Sequence, residues 1–291
     1  MNQDAYLTAE ARQRLKYVKV GDGTVSLRDF PDFLLLGPQR TGTSWVYHKM
    51  RFHPEILWSQ EKEIFFFSQL KGPANPMFRS AELSWYLAHF RDDFALKLAK
   101  NLASLRATGH LYRPLIRGEA TASYAVMDTD LIDEVVTLNP DIRAILMIRN
   151  PIERAWSHAK KDLVRDPKRP YEEVDASEFR DFFSSDYMRR CARYVDNYDD
   201  WSARLKPDHL FVGRFDDIKA RPTEFLADIC RFLGVRSDRK VLGRHLDRPV
   251  NPTSVDPVPE EHRRFLEELH AEDIEKLKQR FNLSWDRPSP Q

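Results

Sequence analysis

Short apolar runs alternate with amphipathic segments along the chain, in the order typical of parallel α/β proteins. Residues 33–36 and 144–148 have the length and the continuous apolar character of buried strands, and residues 209–214 and 116–124 form further strand candidates. Runs of this kind are typical of parallel strands that helices cover on both faces. The pattern therefore predicts a three-layer α/β fold in which a central parallel sheet lies between helices.

Helical periodicity fills the intervals between these runs. The predicted helices are residues 44–51, one or two helices within 81–100, residues 131–138, a helix beginning at Pro151, residues 186–205, Pro222–Leu233 closed by Gly234, and one charged helix over 259–281. Within 81–100 the spacing predicts a buried apolar face made of Leu83, Tyr86, Leu87, Phe90, Phe94 and Leu98. Residues 236–258 are expected to form a basic, irregular loop.

The composition limits the size, partners and compartment that we expect. At 291 residues the chain is long enough for one domain, with a core at about residues 30–235 and a C-terminal basic loop and helix at 236–285. Lysine and arginine number 46 against 45 aspartates and glutamates, so the net charge indicates neither a nucleic-acid partner nor an anionic-membrane surface. Cys191 and Cys230 lack metal-ligand spacing and fit buried thiols. The start of the chain shows no signal-peptide core and no membrane span, and we expect a cytoplasmic protein.

The stretch after the first strand, GPQRTGTSWV, carries the strongest functional signal. Two glycines bound a tight loop, and Thr43 and Ser44 then open a helix. Backbone N–H groups and a helix N-terminus would face one point, which suits a phosphate or another anion. Compared with the nucleotide-binding pattern G-x-x-x-x-G-K-[ST], the lysine position holds Thr43, and the positive charge lies within the loop at Arg40. The pattern predicts a P-loop-type fold without ATP or GTP hydrolysis; the alternative is a glycine turn that binds nothing.

A second stretch, IRAILMIRNPIERAWSHAKKDL, places a cation at the end of a strand. Arg149 follows the run 144–148, Pro151 begins a helix, and Ser157 lies two turns along it. Ligands of open α/β sheets bind beyond the carboxyl ends of the strands, so we expect Arg149 on the same rim as the loop. An acidic residue here would suit Mg²⁺, whereas a cation calls for a second anion. The alternative is an arginine in a structural ion pair.

These motifs resemble those of sulfotransferases that use 3′-phosphoadenosine 5′-phosphosulfate (PAPS). GPQRTGTSWV is similar to the family's 5′-phosphosulfate loop, and IRNPIERAWSHAKKDL to its 3′-phosphate motif, in which an arginine and a serine eight residues later hold the phosphate. Residues 194–235 resemble the family's stretch that ends in a strand, an acidic pair and FLGV. The resemblance covers most of residues 33–235 and implies PAPS binding, without a metal, by Gln39, Arg40, Thr41, Gly42, Thr43, Ser44, Trp45, Arg149 and Ser157.

The segment KEIFFFS is similar to the glutamate-plus-aromatics motif of heparan-sulfate-type and bacterial sulfotransferases. The glutamate of that motif is the catalytic base, and this resemblance implies the role for Glu63. Taken without the resemblance, Glu63 is a surface carboxylate beside Lys62. Cytosolic steroid and phenol sulfotransferases use a histidine instead; none of the nine histidines here has that context, while His53 and His158 stay open as alternatives.

Two departures from the family pattern bear on the acceptor. Arg40 replaces the lysine of many relatives, which changes a point cation into a planar fork. Ala120 replaces the lysine that follows the glutamate in glycosaminoglycan-type relatives, which favours an acceptor smaller or less charged than a heparan-like polysaccharide. We expect transfer of SO₃ from PAPS to a hydroxyl or amine of a small-molecule, lipid or saccharide acceptor, with release of adenosine 3′,5′-bisphosphate (PAP). The aromatics at 65–67, with Trp85 and Tyr86, would suit a ring or alkyl chain or else belong to the core.

Two alternatives from other classes stay open. A divergent P-loop kinase would use ATP and Mg²⁺, but Thr43 at the lysine position and a strand that ends in Arg149 count against it. A nucleotide-binding module that has lost its chemistry would keep the fold, and only Ala120 favours it.

Overall fold

The sheet has five parallel strands, and its topology places β1 at the centre. A computed structural model describes residues 6–242, 257–283 and residue 285 of the chain. The strands are β1 Phe33–Leu36, β2 Ile56–Trp58, β3 Ile116–Ala120, β4 Arg143–Ile148 and β5 Leu210–Arg214, in the spatial order β2-β3-β1-β4-β5. The chain leaves β1 toward one edge of the sheet and leaves β4 toward the other. The topological switch point, where open α/β sheets bind ligands, therefore lies between β1 and β4.

Helices surround this sheet throughout the described part of the chain. The α-helices are α1 Ala9–Arg14, α2 Thr43–Met50, α3 Leu83–Ala88, α4 Phe94–Thr108, α5 Thr129–Leu138, α6 Pro151–Ala159, α7 Ala176–Ser184, α8 Asp186–Arg190, α9 Tyr194–Ser202, α10 Phe215–Ala220, α11 Pro222–Leu233, α12 Arg239–Leu242, α13 Glu260–Leu269 and α14 Ala271–Phe281. Short 3₁₀ turns occupy Phe67–Gln69, Ala122–Val126 and Tyr171–Glu173, and a π-helical turn, Lys160–Arg165, extends α6. Of the helices described, none is long and apolar enough to cross a membrane.

The side chains on the two faces of the sheet pack into two separate apolar cores. Side chains alternate along a strand, so Leu34 and Leu36 enter one core while Phe33 and Leu35 enter the other. The first core contains the buried faces of α3, α5 and α9, and the second contains those of α2 and α11. This arrangement confirms the predicted three-layer α/β fold.

Element boundaries agree with the sequence where local signals are strong. The helix predicted over Pro222–Leu233 has these bounds, and Gly234 closes it with a left-handed φ of 73°. Arg239–Leu242 is helical where a loop was expected, and residues 243–256 of that predicted loop lie outside the described residues.

The single helix expected over residues 259–281 is wrong, because the chain breaks at His270 (φ −112°, ψ 14°). The reason is packing. Leu266, before the break, is buried in a third core with α6 and α7, whereas Leu277, after it, is buried in the first core. The two helices therefore pack against different parts of the protein, and the buried His270 lies between them.

The buried face predicted within residues 81–100 is correct for four of its six residues. Leu83, Tyr86, Leu87 and Phe90 are buried, but Phe94 and Leu98 are exposed. The helix ends at Ala88 and restarts at Phe94, so the periodicity of the first part sets no orientation for the second.

Candidate active site

The loop between β1 and α2 depends on its two glycines. Gly37 has a φ of 150°, and a Cβ there would lie 2.7 Å from Thr41 Oγ1 and 2.8 Å from Met147 Cβ. Gly42 has a φ of 97°, and its Cβ would lie 2.5 Å from Ile218 Cδ1. The Thr41 hydroxyl donates to the Pro38 carbonyl at 2.8 Å and holds the turn closed. No residue with a side chain fits either glycine position without displacing these neighbours.

The loop delivers backbone N–H groups to the N-terminus of α2. Gly42 precedes the helix and has no side chain to cap it, and the first N–H groups of an α-helix lack intrahelical partners. Thr43 is buried and Ser44 is partly exposed at this end. The helix N-terminus therefore offers donors and a partial positive charge to an anion.

The second motif meets the loop at the switch point, as predicted. β4 runs into Arg149, and Asn150 caps α6 by accepting from the Ile152 N–H at 2.9 Å. Arg149 Nη1 donates to the carbonyl oxygen of Arg40 at 3.0 Å. Arg40 Nε in turn donates to Ser157 Oγ at 3.0 Å. The structure thus brings Arg40, Arg149 and Ser157 together.

This part of the site concentrates positive charge in a partly buried place. Burial lowers the pKa of Arg149, and burial together with the neighbouring cations Arg165 and Arg149 lowers the pKa of Arg40. Loss of water and repulsion between like charges both disfavour the two guanidinium ions. An anion bound between them would relieve both effects.

Two residues near these cations were not singled out from the sequence. The Arg149 guanidinium lies 4.1 Å from the centre of the Phe215 ring, at the start of α10. The Tyr187 hydroxyl donates to Gln39 Oε1. Phe215 directly follows the carboxyl end of β5, and this position could have identified it from the sequence as a residue near the ligand site. Tyr187 lies on α8, and no motif in its sequence indicates that it reaches the loop.

Glu63 lies at the same edge of the sheet, at the end of β3. Its N–H donates to the Ala120 carbonyl at 2.9 Å, and its Oε2 accepts from the Ala122 N–H at 3.0 Å. Lys62 forms an ion pair with its Oε1. The side chain keeps 26% of its accessible surface, so the carboxylate can be reached from outside. Since β3 pairs with β1, Glu63 and the loop belong to neighbouring strand ends.

Backbone strain coincides with two of the candidate residues. Six described residues other than glycine have a positive φ, and they include Arg40 at 76° and Glu63 at 64°. A left-handed conformation is costly for such side chains and persists only where surrounding contacts impose it. The contacts of Arg40 with Arg149 and of Glu63 with residues 120 and 122 are of that kind.

The two histidines considered as alternatives differ in position. His53 precedes β2, at the amino edge of the sheet, and its ring contacts the Arg236 carbonyl at 2.9 Å and the Glu55 N–H at 3.1 Å. His158 is next to Ser157 on α6, where Asp162 lies 3.3 Å from its Nε2. Burial lowers the pKa of both imidazoles. His53 is therefore remote from the loop, and His158 is the nearer alternative.

Most of the aromatic residues considered for acceptor binding are core residues. Phe66, Phe67 and Tyr86 are completely buried, and the rings of Phe66 and Tyr86 stack at 4.5 Å. Phe65 and Trp85 keep partial exposure and are the two that an acceptor could touch.

A buried carboxyl group lies beside Glu63. Glu119 is fully buried and accepts from the Tyr86 hydroxyl and, at 2.7 Å, from the Thr121 hydroxyl. Burial raises the pKa of Glu119 from 4.5 to about 7. The folded protein thus holds a proton that the unfolded chain loses near pH 4.5.

We predict that this proton makes the free energy of unfolding fall as the pH rises from 4.5 to about 7. The loss amounts to about 3 kcal/mol for a shift of this size. Glu119→Gln should flatten the dependence, because glutamine stays neutral throughout. Urea unfolding of both proteins across this pH range measures the two slopes, and equal slopes would show that Glu119 titrates normally.

A cavity of about 820 Å³ opens at the opposite edge of the sheet, against Phe33, Ile116 and Arg143. These residues begin β1, β3 and β4. A strand of four residues spans roughly 13 Å, so this cavity is separate from the loop.

Comparisons with known proteins agree on one family. The model of the sulfotransferase family matches residues 31–239. The bifunctional heparan sulfate N-deacetylase/N-sulfotransferase of Drosophila melanogaster is 24% identical over 236 residues, which cover 76% of this chain and 21% of that protein. A membrane-associated sulfotransferase of Dictyostelium discoideum is 24% identical over 127 residues, covering 44% of this chain and 22% of that protein. The chain spans about a fifth of the length of these curated relatives.

Solved structures match the fold. A sulfotransferase from Alicyclobacillus acidocaldarius superposes with a TM-score of 0.62 at 20% identity, over 87% of this chain and 96% of that one. The sulfotransferase STF9 from Mycobacterium avium has a TM-score of 0.51 at 13% identity, over 86% and 78% of the two chains. At these identities the likeness shows the fold alone, while the family model covers well over half of the chain. The chain belongs to the sulfotransferase family.

Proposed function

We propose that this sulfotransferase binds PAPS in the crevice between β1 and β4 and moves its sulfuryl group to a hydroxyl or amine of an acceptor, releasing PAP. One observation carries the proposal: Arg40, Arg149 and Ser157 meet at the anion-binding loop, at the switch point of the sheet. Anion-binding groups from the loop and from α6, side by side, suit a nucleotide with phosphates on both sides of its ribose.

The loop would hold the 5′-phosphate. The N–H groups of residues 41–44 would supply donors at the helix N-terminus, whereas the Trp45 N–H already donates to the Gly42 carbonyl at 2.9 Å. Gln39, in the same loop, accepts from the Tyr187 hydroxyl. Arg40 carries the positive charge of the loop. It would balance the negative charge that grows on the oxygen bridging sulfur and phosphorus. Preorganised charge of this kind acts mainly on the transition state.

The 3′-phosphate would lie against Arg149 and Ser157. Arg149 is held by the Arg40 carbonyl and by the face of Phe215, so its guanidinium is already oriented. Ser157 is nearly buried on α6, beside Arg40. These contacts would distinguish PAPS from ATP, which has no phosphate at this position.

Glu63 would accept the proton of the acceptor. The acceptor oxygen or nitrogen then attacks sulfur, the bond between sulfur and the bridging oxygen breaks, and the electron pair leaves with PAP. The bond from the Ala122 N–H and the ion pair with Lys62 fix the carboxylate at the edge where the sulfuryl group would project. General-base assistance of this kind contributes roughly 10²–10⁴-fold to the rate.

The same groups support a reaction without a metal. A sulfuryl group carries less negative charge than a phosphoryl group, and the site supplies arginine cations. Within residues 6–242 and 257–283, no cluster of three metal-ligating side chains occurs. A kinase reaction has no feature in its favour at this site.

The acceptor would be a small molecule, a lipid or a saccharide of limited charge. Ala120, at the position of the relatives' lysine, is completely buried in the second core. It therefore adds no cation for a polyanionic chain. Cytoplasmic location is part of the proposal, and the buried unpaired thiols of Cys191 and Cys230 support it.

We predict that Arg149→Ala weakens PAP binding roughly 10- to 150-fold and weakens adenosine 5′-phosphate binding much less. The removed charge-assisted hydrogen bond is worth on the order of 1.5–3 kcal/mol, and only PAP has the anion that receives it. Calorimetry with both nucleotides measures the two losses. Arg231→Ala is the matched control, since Arg231 is exposed on α11 and its surface ion pair contributes little. Equal losses for both nucleotides would remove Arg149 from this role.

The proposed activity is tested by a screen of acceptor classes with isotopically labelled PAPS. Phenols, aliphatic alcohols, amino sugars, oligosaccharides and lipids are each incubated with enzyme and read by mass spectrometry. We expect at least one class to gain a single SO₃ group while an equal amount of PAP appears. The absence of both, in every class and at nucleotide concentrations that calorimetry shows to be saturating, would contradict the proposal.

A further inference from the structure

Helix α4 exposes an apolar stripe to solvent. Phe94 is 84% exposed, and Leu98, Leu102 and Leu105 are each about half exposed. The residues that α4 buries are Ser104 and Thr108. At 3.6 residues per turn, the four apolar side chains lie within an arc of about 80°. A helix on a globular protein normally shows the reverse arrangement, so this stripe marks an interaction surface.

The charged side chains of α4 itself are all basic, while the exposed Asp93 caps the start of the helix beside Phe94. Residues 94–115 contain no aspartate or glutamate, although the whole chain has nearly equal numbers of cations and anions. Lys97 and Arg106 are exposed and lie on opposite flanks of the stripe. Leu111 and Leu115 extend the exposed apolar surface beyond the helix. An apolar centre between two basic flanks is the arrangement of a helix that lies flat in a membrane interface.

We propose that α4 docks this protein on an anionic lipid surface. The stripe of Phe94, Leu98, Leu102 and Leu105 would enter the boundary between headgroups and acyl chains. Lys97 and Arg106 would meet lipid phosphates and carboxylates, as basic residues near the cytoplasmic leaflet do. None of the candidate active-site residues belongs to α4, so the proposal stands independently of catalysis.

A second copy of the chain fits this surface less well. A symmetric contact places the same patch on both partners, so the Lys97 and Arg106 flanks would bring cations against cations. An anionic lipid surface can bury the apolar stripe and also neutralise the basic flanks.

Vesicle flotation of the full chain tests the proposal, with vesicles of phosphatidylcholine alone and of phosphatidylcholine containing phosphatidylserine. We expect binding to the phosphatidylserine vesicles that weakens with salt. The triple variant L98S/L102S/L105S should bind both vesicle types at least about ten-fold more weakly. K97Q/R106Q should lower the affinity for the anionic vesicles by about 25-fold, at roughly five-fold for each cation removed. Its affinity for phosphatidylcholine vesicles should not change.

The matched control is R231Q/K278Q, which removes two exposed cations from α11 and α14 and should bind as the unaltered protein does. Circular dichroism and the thermal unfolding midpoint show that each variant is folded. The proposal is overturned if the unaltered chain fails to float with anionic vesicles, or if the control loses as much binding as K97Q/R106Q. It is also overturned if sedimentation velocity shows self-association that the triple serine variant abolishes while vesicle binding is absent.

Discussion

Glu63→Gln is expected to lower turnover by roughly 10²–10⁴-fold and to leave PAP binding unchanged. Glutamine has nearly the same shape and can still accept from the Ala122 N–H, but it cannot take a proton from the acceptor. Activity falls on the acid side of the pH–rate profile wherever a base must be ionised, so that limb should disappear in the variant. Steady-state rates at saturating PAPS, measured across pH, give both quantities.

The control for this substitution is Glu61→Gln, two residues earlier. Glu61 is exposed, and its replacement makes the same change in charge and volume close to the site. It should behave as the unaltered enzyme. Near-normal turnover of Glu63→Gln with an intact acid limb would return Glu63 to the status of a surface carboxylate, and His158 would become the candidate base.

Arg40→Ala is expected to lower the maximal rate by roughly 10²–10³-fold, with a smaller effect on PAPS affinity. The reason is that charge on the bridging oxygen grows mainly as the bond to sulfur breaks. Arg40→Lys should recover part of the rate, because a point cation replaces the planar fork. Alanine and lysine both have a Cβ, so neither changes the strain at the φ of 76°. The measurement is the split between kcat and the PAPS KM.

Ser157→Ala separates the charge of Arg40 from its position. This variant removes the oxygen that accepts from Arg40 Nε and leaves the guanidinium charge in place. It should weaken PAP binding more than it lowers the maximal rate. If Arg40→Ala instead loses affinity and keeps its maximal rate, Arg40 holds the ground state only.

The sequence predicted the parts of this protein that short-range rules control. A continuous apolar run, a glycine-bounded loop and a proline-started helix are local signals, and β1, α2, β4 and α6 follow them. The rule that ligands lie at the carboxyl ends of parallel strands then placed Arg149 beside the loop, as the bond between Arg149 and the Arg40 carbonyl confirms.

Features that depend on contacts between distant segments could not be predicted. The break at His270 arises because Leu266 and Leu277 belong to different cores. The exposure of the apolar stripe of α4 could not be predicted from periodicity. Periodicity shows which residues share one side of a helix, but it does not show whether that side faces the core or the solvent. The positive φ of Arg40 and Glu63 is likewise imposed by contacts across the sheet.

The central claim is that the crevice between β1 and β4 recognises a nucleotide by its 3′-phosphate, and calorimetry on the unaltered chain tests it most directly. PAP, adenosine 5′-phosphate and ATP are titrated in parallel, the first two without metal and ATP with Mg²⁺. We expect PAP to bind at least about ten-fold more tightly than adenosine 5′-phosphate, since one charge-assisted hydrogen bond suffices for that difference. Equal affinity for these two nucleotides, or tighter binding of ATP with Mg²⁺, would contradict it.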